Sequence, residues 1–425
     1  MSTTKNRPVR SVAVLADADS RWKWGLGLAR RLHPAASITG YQFAGATTPS
    51  QRQLSEAGIS PDSVLVVTAG ELIAALTADP VDVLILSLPG TGVQAMLHLL
   101  AHADLEHRPL VVTGYVGVVY ERVVEGLLLR AGADVIVANS PADFERFRSV
   151  FEGVGFPTAS LVQSRLPFLR EPGQRSNPRF TVTFAGQPDV PESRSQRRYL
   201  VQRLAEHAAR HPERDVLIKL RGLPGEVVTH NEPYPYDEIV RSLGAGRPSN
   251  LKLAGGDMGK ALNRTDLLVT VSSTAALESI HRGLATAVLT DLGIRESLGN
   301  SYFLGSGCLI SFDEVDAGAL PLADESWTRA HGLGAQPDLL PERVAEMLTG
   351  ADLPALQPFY TLKNAKGILP GILAGYGVGT DGKPLPFLTN AAPAGLRRAV
   401  RQSARHMYRH GANVVAPALR KLASL

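Results

Sequence analysis

The chain has 425 residues, 44% hydrophobic and 20% charged, which is too much for one ordinary core and suits two domains with an extension. Its single cysteine, Cys308, excludes an internal disulfide framework. The net charge of +4 is unevenly spread, because after Asp381 there are no acidic residues and 8 basic ones, leaving 36 basic against 40 acidic residues elsewhere. A mildly acidic body argues against a nucleic-acid binder.

In chain order, residues 1–10 are polar and no apolar segment of a secretion signal follows them. Short apolar runs at 11–16, 38–43, 63–67, 81–87, 110–113 and 133–138 read as strands. Helical patterns at 22–32, 70–76, 92–101 and 121–129 separate them, and a further helix starts at Pro141 with Ser140 as its cap. Continuous Val/Ile/Leu runs between helices predict a parallel sheet covered on both faces, hence a Rossmann-like domain over 1–170.

Residues 167–178 are rich in proline, glycine and polar side chains and read as a linker. The pattern then restarts. Strands are expected at 180–184, 215–220, 250–253, 266–271 and 285–290, with helices at 195–211, 258–262, 274–282 and 341–348. This predicts a second Rossmann-like domain over 171–350. The remainder, 351–425, is a Gly/Pro-rich segment followed by a helix at 395–408. On that helix Leu396, Val400, Ala404 and Met407 lie on one side, and Arg397, Arg401, Arg405 and Arg409 form a stripe on another. No apolar run approaches the roughly 20 residues needed to cross a bilayer. The expectation is a cytoplasmic protein whose basic tail either rests on an anionic membrane surface or packs on the body.

The chemistry-bearing residues sit at the carboxyl ends of predicted strands, where open parallel sheets bind ligands. Ser272, Ser273 and Thr274 stand between a strand and a helix. Three hydroxyls beside free helix N–H groups suit a phosphate, although one of them would suffice as a simple cap. Glu278, one turn later, either accepts from ribose hydroxyls or merely favours the helix dipole. Gly186 and Gln187 follow the first strand of the second domain and offer close backbone approach and a polar amide, or else a tight strand exit. Lys219 and Arg221 end the next strand as phosphate or carboxylate partners, or as rim charges. His230, in a polar loop, is a candidate general acid or an exposed histidine.

Asp17 and Asp19 follow the first strand. Either carboxylate is placed to deprotonate an acceptor hydroxyl, with Trp22 and Trp24 stacking on a sugar; alternatively one aspartate caps the helix and the tryptophans are core. A P-loop, a glycine-rich dinucleotide fingerprint and a Cys/His metal cluster are all missing from the sequence, and no metal or other cofactor is expected.

Two Rossmann-like domains, a central linker and Val271-Ser272-Ser273-Thr274 followed by Glu278 together resemble GT-B glycosyltransferases. The Ser-Ser-Thr turn is similar to the one that holds the CMP phosphate in bacterial sialyltransferases and Kdo transferases. The whole chain resembles a glycosyltransferase family associated with nonulosonic acid genes. The resemblance implies an α/β GT-B architecture, two domains facing a central cleft, with a C-terminal helical extension. It further implies a metal-independent, inverting transfer from a nucleotide sugar, CMP-linked, to a glycan or lipid-linked acceptor at the cell surface. Ser272, Ser273 and Thr274 would bind the donor phosphate, and Asp17 or Asp19 would be the base. The sialyltransferase His-Pro pair has no counterpart beside Lys219, where Arg221-Gly222 stands, and His211-Pro212 ends a helix before that strand. Two other readings stay open: a UDP-sugar 2-epimerase, which needs several cleft carboxylates and a histidine, and a non-catalytic sugar-nucleotide-binding protein.

Overall fold

The computed structural model describes residues 9–44, 61–118, 122–169, 173–174, 178–188, 190–220, 232, 234–334, 337–349 and 353–385. Arg221, His230 and the stripe Arg397, Arg401, Arg405 and Arg409 lie outside the described residues. The side chain of Asp19 does too.

Thirteen strands form two sheets among the described residues. In the first, β1 (Ser11–Ala16), β2 (Ser37–Phe43), β3 (Ser63–Val67), β4 (Val83–Ser87), β5 (Leu110–Gly114), β6 (Val135–Ala138) and β7 (Leu161–Gln163) are arranged in the order β3-β2-β1-β4-β5-β6-β7. Every pairing is parallel; Val12 of β1 stands beside Ile38 on one side and Val83 on the other. Burial on both faces explains the uninterrupted apolar runs. Strand order reverses between β1 and β4, which opens a crevice at their carboxyl ends.

The helix Asp19–Leu32 lies on one face, with Trp22 and Trp24 fully buried in the core beneath it. The tryptophans are therefore packing residues and do not stack on a sugar: a Cβ on Gly40 would come within 2.7 Å of the Trp22 ring, and one on Gly114 within 2.8 Å of Trp24. On the opposite face the helices Ala69–Ala78, Gly90–His102 and Pro141–Gly153 enclose the other half of the core. Ser140 caps the last of these through its hydroxyl, which accepts from Asp143 N at 3.0 Å.

The second sheet repeats the plan. Strands β8 (Thr181–Ala185), β9 (Asp215–Lys219), β10 (Leu251–Ala254), β11 (Leu267–Thr270), β12 (Ala285–Leu289) and β13 (Leu309–Ile310) take the order β10-β9-β8-β11-β12-β13, again all parallel. Its order reverses between β8 and β11. The helix Arg194–Arg210 covers one face and Ala275–His281 the other.

The chain then returns to the first domain. Leu340 and Val344 of helix Leu340–Thr349 are buried in the core beside Trp22 and Trp24, so this helix, expected within the second domain, packs on the first sheet. Each such side chain contributes about 1.5–3 kcal/mol of burial. Residues 353–385, read from sequence as aperiodic, run across the other face as a strap. Leu356, Leu369, Leu373 and Val378 enter the core, Leu369–Gly375 forms a helix, and Gln94 Nε2 donates to Tyr360 O at 3.1 Å. At the start of the expected linker, Phe168 and Leu169 pack with buried Leu166 among second-domain residues. No helix of the described residues is long and apolar enough to cross a membrane.

Candidate functional site

The carboxyl ends of β8 and β11 are tied together by side chains. Thr270 Oγ1 donates to Ala185 O at 2.9 Å and accepts from Ser273 N at 3.1 Å. Gln187 Oε1 accepts from Ser272 N at 3.0 Å, across 85 residues of sequence. The Ser272 hydroxyl donates to Leu298 O, with Gln187 Oε1 3.3 Å away. Ser272 is 3% exposed. Its side chain thus builds the turn, whereas the sequence offers it as a phosphate ligand or a helix cap.

The other two hydroxyls are differently placed. Ser273 is half-buried, and its Oγ accepts from Ala275 N at 3.3 Å. Thr274 is exposed and makes no side-chain cap to the helix it precedes. Glu278 is half-buried one turn further along. The surface offered at this switch point is therefore Thr274, with Ser273 beside it.

Gly186 serves packing. A Cβ there would lie 2.9 Å from the ring of Tyr236, so the glycine admits the aromatic ring. Lys219 is 5% exposed, pairs in register with Ala185, and its Nζ donates to Leu220 O at 2.5 Å. It is a buried residue of the sheet edge, unlike the rim charge that spacing alone allowed.

Arg197 organises this corner. It is fully buried on the helix that follows β8. Its Nε donates to Pro191 O at 2.7 Å, Nη1 to Glu232 Oε1 at 2.6 Å and to Tyr234 O at 3.1 Å, and Nη2 to Gln187 O at 3.2 Å and to Pro188 O. One planar cation thereby fixes the loop carrying Gln187, which in turn fixes Ser272. Nothing in the sequence distinguishes Arg197 from Arg194, Arg198 or Arg203 of the same helix.

The first domain meets this turn across the cleft. Asn139, buried at the end of β6, donates through Nδ2 to Tyr115 O at 2.7 Å and holds the loop after β5. In that loop Gly117 has φ +154°, and a Cβ on it would lie 3.2 Å from Cγ2 of Thr274. Val118 packs on the second-domain core. Asp143 sits nearby, and burial pushes its carboxyl up to about 6, opposed by the Ser140 hydrogen bond and by Arg146. The same carboxyl helps to raise the pKa of Tyr302 in the second domain, after the larger effect of that ring's own burial. Asp143 therefore lies at the junction of the domains, which sequence spacing did not reveal.

Asp17 follows β1 and is half-buried, with Oδ1 2.7 Å from Arg21 Nη1. Arg21 O accepts from the Ser87 hydroxyl at 2.7 Å, tying the helix after β1 to the end of β4. No group of three or more His, Cys, Asp or Glu positioned to hold a metal ion occurs among the described residues.

Two parallel-sheet Rossmann-like domains facing each other across a cleft, with a final helix returning to the first, define the GT-B architecture shared by glycosyltransferases and sugar-nucleotide epimerases. Residues 12–347 match the family described as "Putative glycosyltransferase (DUF6716)", and the chain belongs to that family. No curated protein matches the sequence significantly. Among solved structures, the S. aureus MnaA–UDP complex superposes with a TM-score of 0.52 at 12% identity, covering 80% of this chain and 95% of that one. A UDP-N-acetylglucosamine 2-epimerase gives 0.51 at 13% identity, over 80% and 94%. These likenesses speak for the fold.

Proposed function

We propose that the protein transfers a sugar from a nucleotide donor to a glycan or lipid-linked acceptor, with the donor phosphate at the β8/β11 switch point. The observation that carries this reading is the Gln187–Ser272 clasp. It fixes a turn whose exposed residue, Thr274, has its methyl group against Gly117 of the first domain. Ser273 and Thr274 contact the phosphate; Ser272, Gln187 and Arg197 position the turn; Glu278 lies within reach of a ribose. Lys219 adds positive charge at the adjoining strand end, and Arg221 and His230 follow it in sequence as further donor and acid candidates.

On the acceptor side, Asp17 is the base, with Asp19 as the neighbouring candidate. Proton transfer to a positioned carboxylate, followed by direct displacement at the anomeric carbon, gives inversion. Fixed hydrogen-bond donors stabilise the departing phosphate, so the reaction as proposed needs no bound metal. The donor is a CMP-linked nonulosonic acid by resemblance of the Ser-Ser-Thr turn, and the acceptor a surface polymer precursor. The basic tail would hold the protein peripherally on an anionic cytoplasmic membrane surface.

A second reading draws on the structural neighbours, one of which holds UDP and one of which is a UDP-N-acetylglucosamine 2-epimerase. In that case the nucleotide is UDP, and the reaction is either glycosyl transfer or 2-epimerisation. A thermal-shift panel of CMP, CDP, UDP and GDP separates the two: stabilisation by CMP is expected, and stabilisation by UDP alone would reject the nonulosonic donor. Incubation with UDP-N-acetylglucosamine without any acceptor is expected to return it unchanged; its conversion to the 2-epimer would reject transfer.

A further inference from the structure

Three of the four sheet edges are blunted against pairing with a further strand. β7 is 3 residues long and has the helix Leu340–Thr349 against it, β13 has 2 residues, and β10 carries the charged Lys252. β3, the remaining edge, has none of these devices. It is Ser-Val-Leu-Val-Val, with no charge and no proline, and these residues favour strands. Among the described residues it pairs with β2 alone. Val64, Leu65 and Val66 are 42%, 50% and 53% exposed. Leu65 stands beside Tyr41 on the face that the strap crosses, and Val64 and Val66 point to the other face. An uncharged apolar edge of this kind is an aggregation hazard unless something covers it.

The strap ends at the same place. Pro384 bridges to Val378, and a Cβ on Gly70 would lie 3.4 Å from the Pro384 ring. Gly70 belongs to the first turn of the helix Ala69–Ala78, which follows β3 directly. Residues 386–425 continue from this point and lie outside the described residues. Within them the sequence predicts a helix at 395–408 with Leu396, Val400, Ala404 and Met407 on one side. The intervening residues 386–394 can span about 30 Å, and Leu65 is at most about 17 Å from Gly70 along the chain. Charge matches as well. Residues 61–79 hold Asp62, Glu71 and Asp79 and no basic residue, whereas 386–425 hold all but Lys383 of the 8 basic residues after Asp381 and no acidic one. A tether this short gives the tail an effective concentration on the order of millimolar, which favours it over a second copy of the chain.

We propose that β3 is the docking strip for the apolar side of the helix at 395–408 of the same chain. Leu396, Val400 and Met407 cover the exposed valines and leucine, and the arginine stripe lies toward the acidic residues that flank the strand. The inference goes beyond the transferase reading and stands without it. The apolar side of the helix can meet β3 or a lipid surface but not both, so docking on β3 is the state of the protein away from a membrane.

The test follows hydrogen–deuterium exchange of the full chain by mass spectrometry, without lipid, at two protein concentrations about tenfold apart. Residues 61–67 are expected to exchange about tenfold or more faster in the double variant Leu396→Asp with Val400→Asp than in the parent, while residues 83–87 and 267–270 exchange alike in both. In the converse variant, Leu65→Asp, trypsin is expected to cut between Arg397 and Arg409 about tenfold faster than in the parent. Should Leu65→Asp not fold, the tail variant decides, because its substitutions lie outside the two sheets. The proposal fails if residues 61–67 exchange equally in the parent and the tail variant. Slow exchange in both would give the edge to another segment of the chain, and slowing that grows with protein concentration would give it to a second copy.

Discussion

Gly117 in the first domain stands directly over Thr274 in the second: a Cβ at Gly117 would lie 3.2 Å from the threonine methyl. With φ at +154°, the position also favours glycine on backbone grounds. Gly117→Ala should cost about 1–3 kcal/mol in strain and press the β5 loop against the donor turn. Calorimetry should show nucleotide affinity falling several-fold. Unchanged affinity would place the ligand away from this contact.

Arg197 is the keystone of the donor corner. Arg197→Met removes the guanidinium that donates to the Glu232 carboxylate and to four backbone carbonyls. Denaturant unfolding should register a loss of about 3–5 kcal/mol. Gln187→Ala should cost less, about 1–2 kcal/mol. Because one residue holds the other, the double variant should fall short of the sum, and full additivity would show that the two act separately.

Asp143 supplies the pH dependence. Its folded pKa is raised to about 6 by burial, from 3.8. A raised pKa means that the folded state holds the proton more tightly than the unfolded state. The stabilising contribution is complete below about pH 4 and is lost as pH rises through about 6. Asp143→Asn removes that loss. It should be more stable than the parent at pH 7.5, by up to about 2–3 kcal/mol, with the gap closing by pH 4. Equal stability at pH 7.5 would refute the buried carboxyl.

The strap of 353–385 depends on Gly132, whose φ is +110° and whose Cβ would come within 2.5 Å of Gln357 O. Gly132→Val should release the strap from the first domain. Limited proteolysis should then cut between 353 and 385 before the body, and a cleavage pattern like the parent's would contradict this.

Much of the architecture was legible because strands buried on both faces leave unbroken apolar runs, as at Val83–Ser87 and Leu267–Thr270. The short β7 and β13, of 3 and 2 residues, give too little pattern to be seen. The helix Leu340–Thr349 looked correct in sequence, but its destination on the first sheet depends on tertiary packing. The same limit governs the site. Ser272, Ser273 and Thr274 stood out at a strand-to-helix junction, yet Ser272 is spent on Gln187 and Leu298, neither of which is near it in sequence. Trp22 and Trp24 lie close to Asp17 in sequence, as sugar-stacking rings would, and are core. Asn139, Asp143 and Arg197 carry no local signal, since their roles come from burial and long-range hydrogen bonds.

The most direct measurement is nucleotide affinity, by calorimetry, for the parent chain and for the double variant Ser273→Ala with Thr274→Ala. If the β8/β11 turn holds the donor phosphate, the variant keeps its unfolding temperature and loses about tenfold or more in affinity for the nucleotide the parent binds best. Equal affinity in the two proteins would contradict the site.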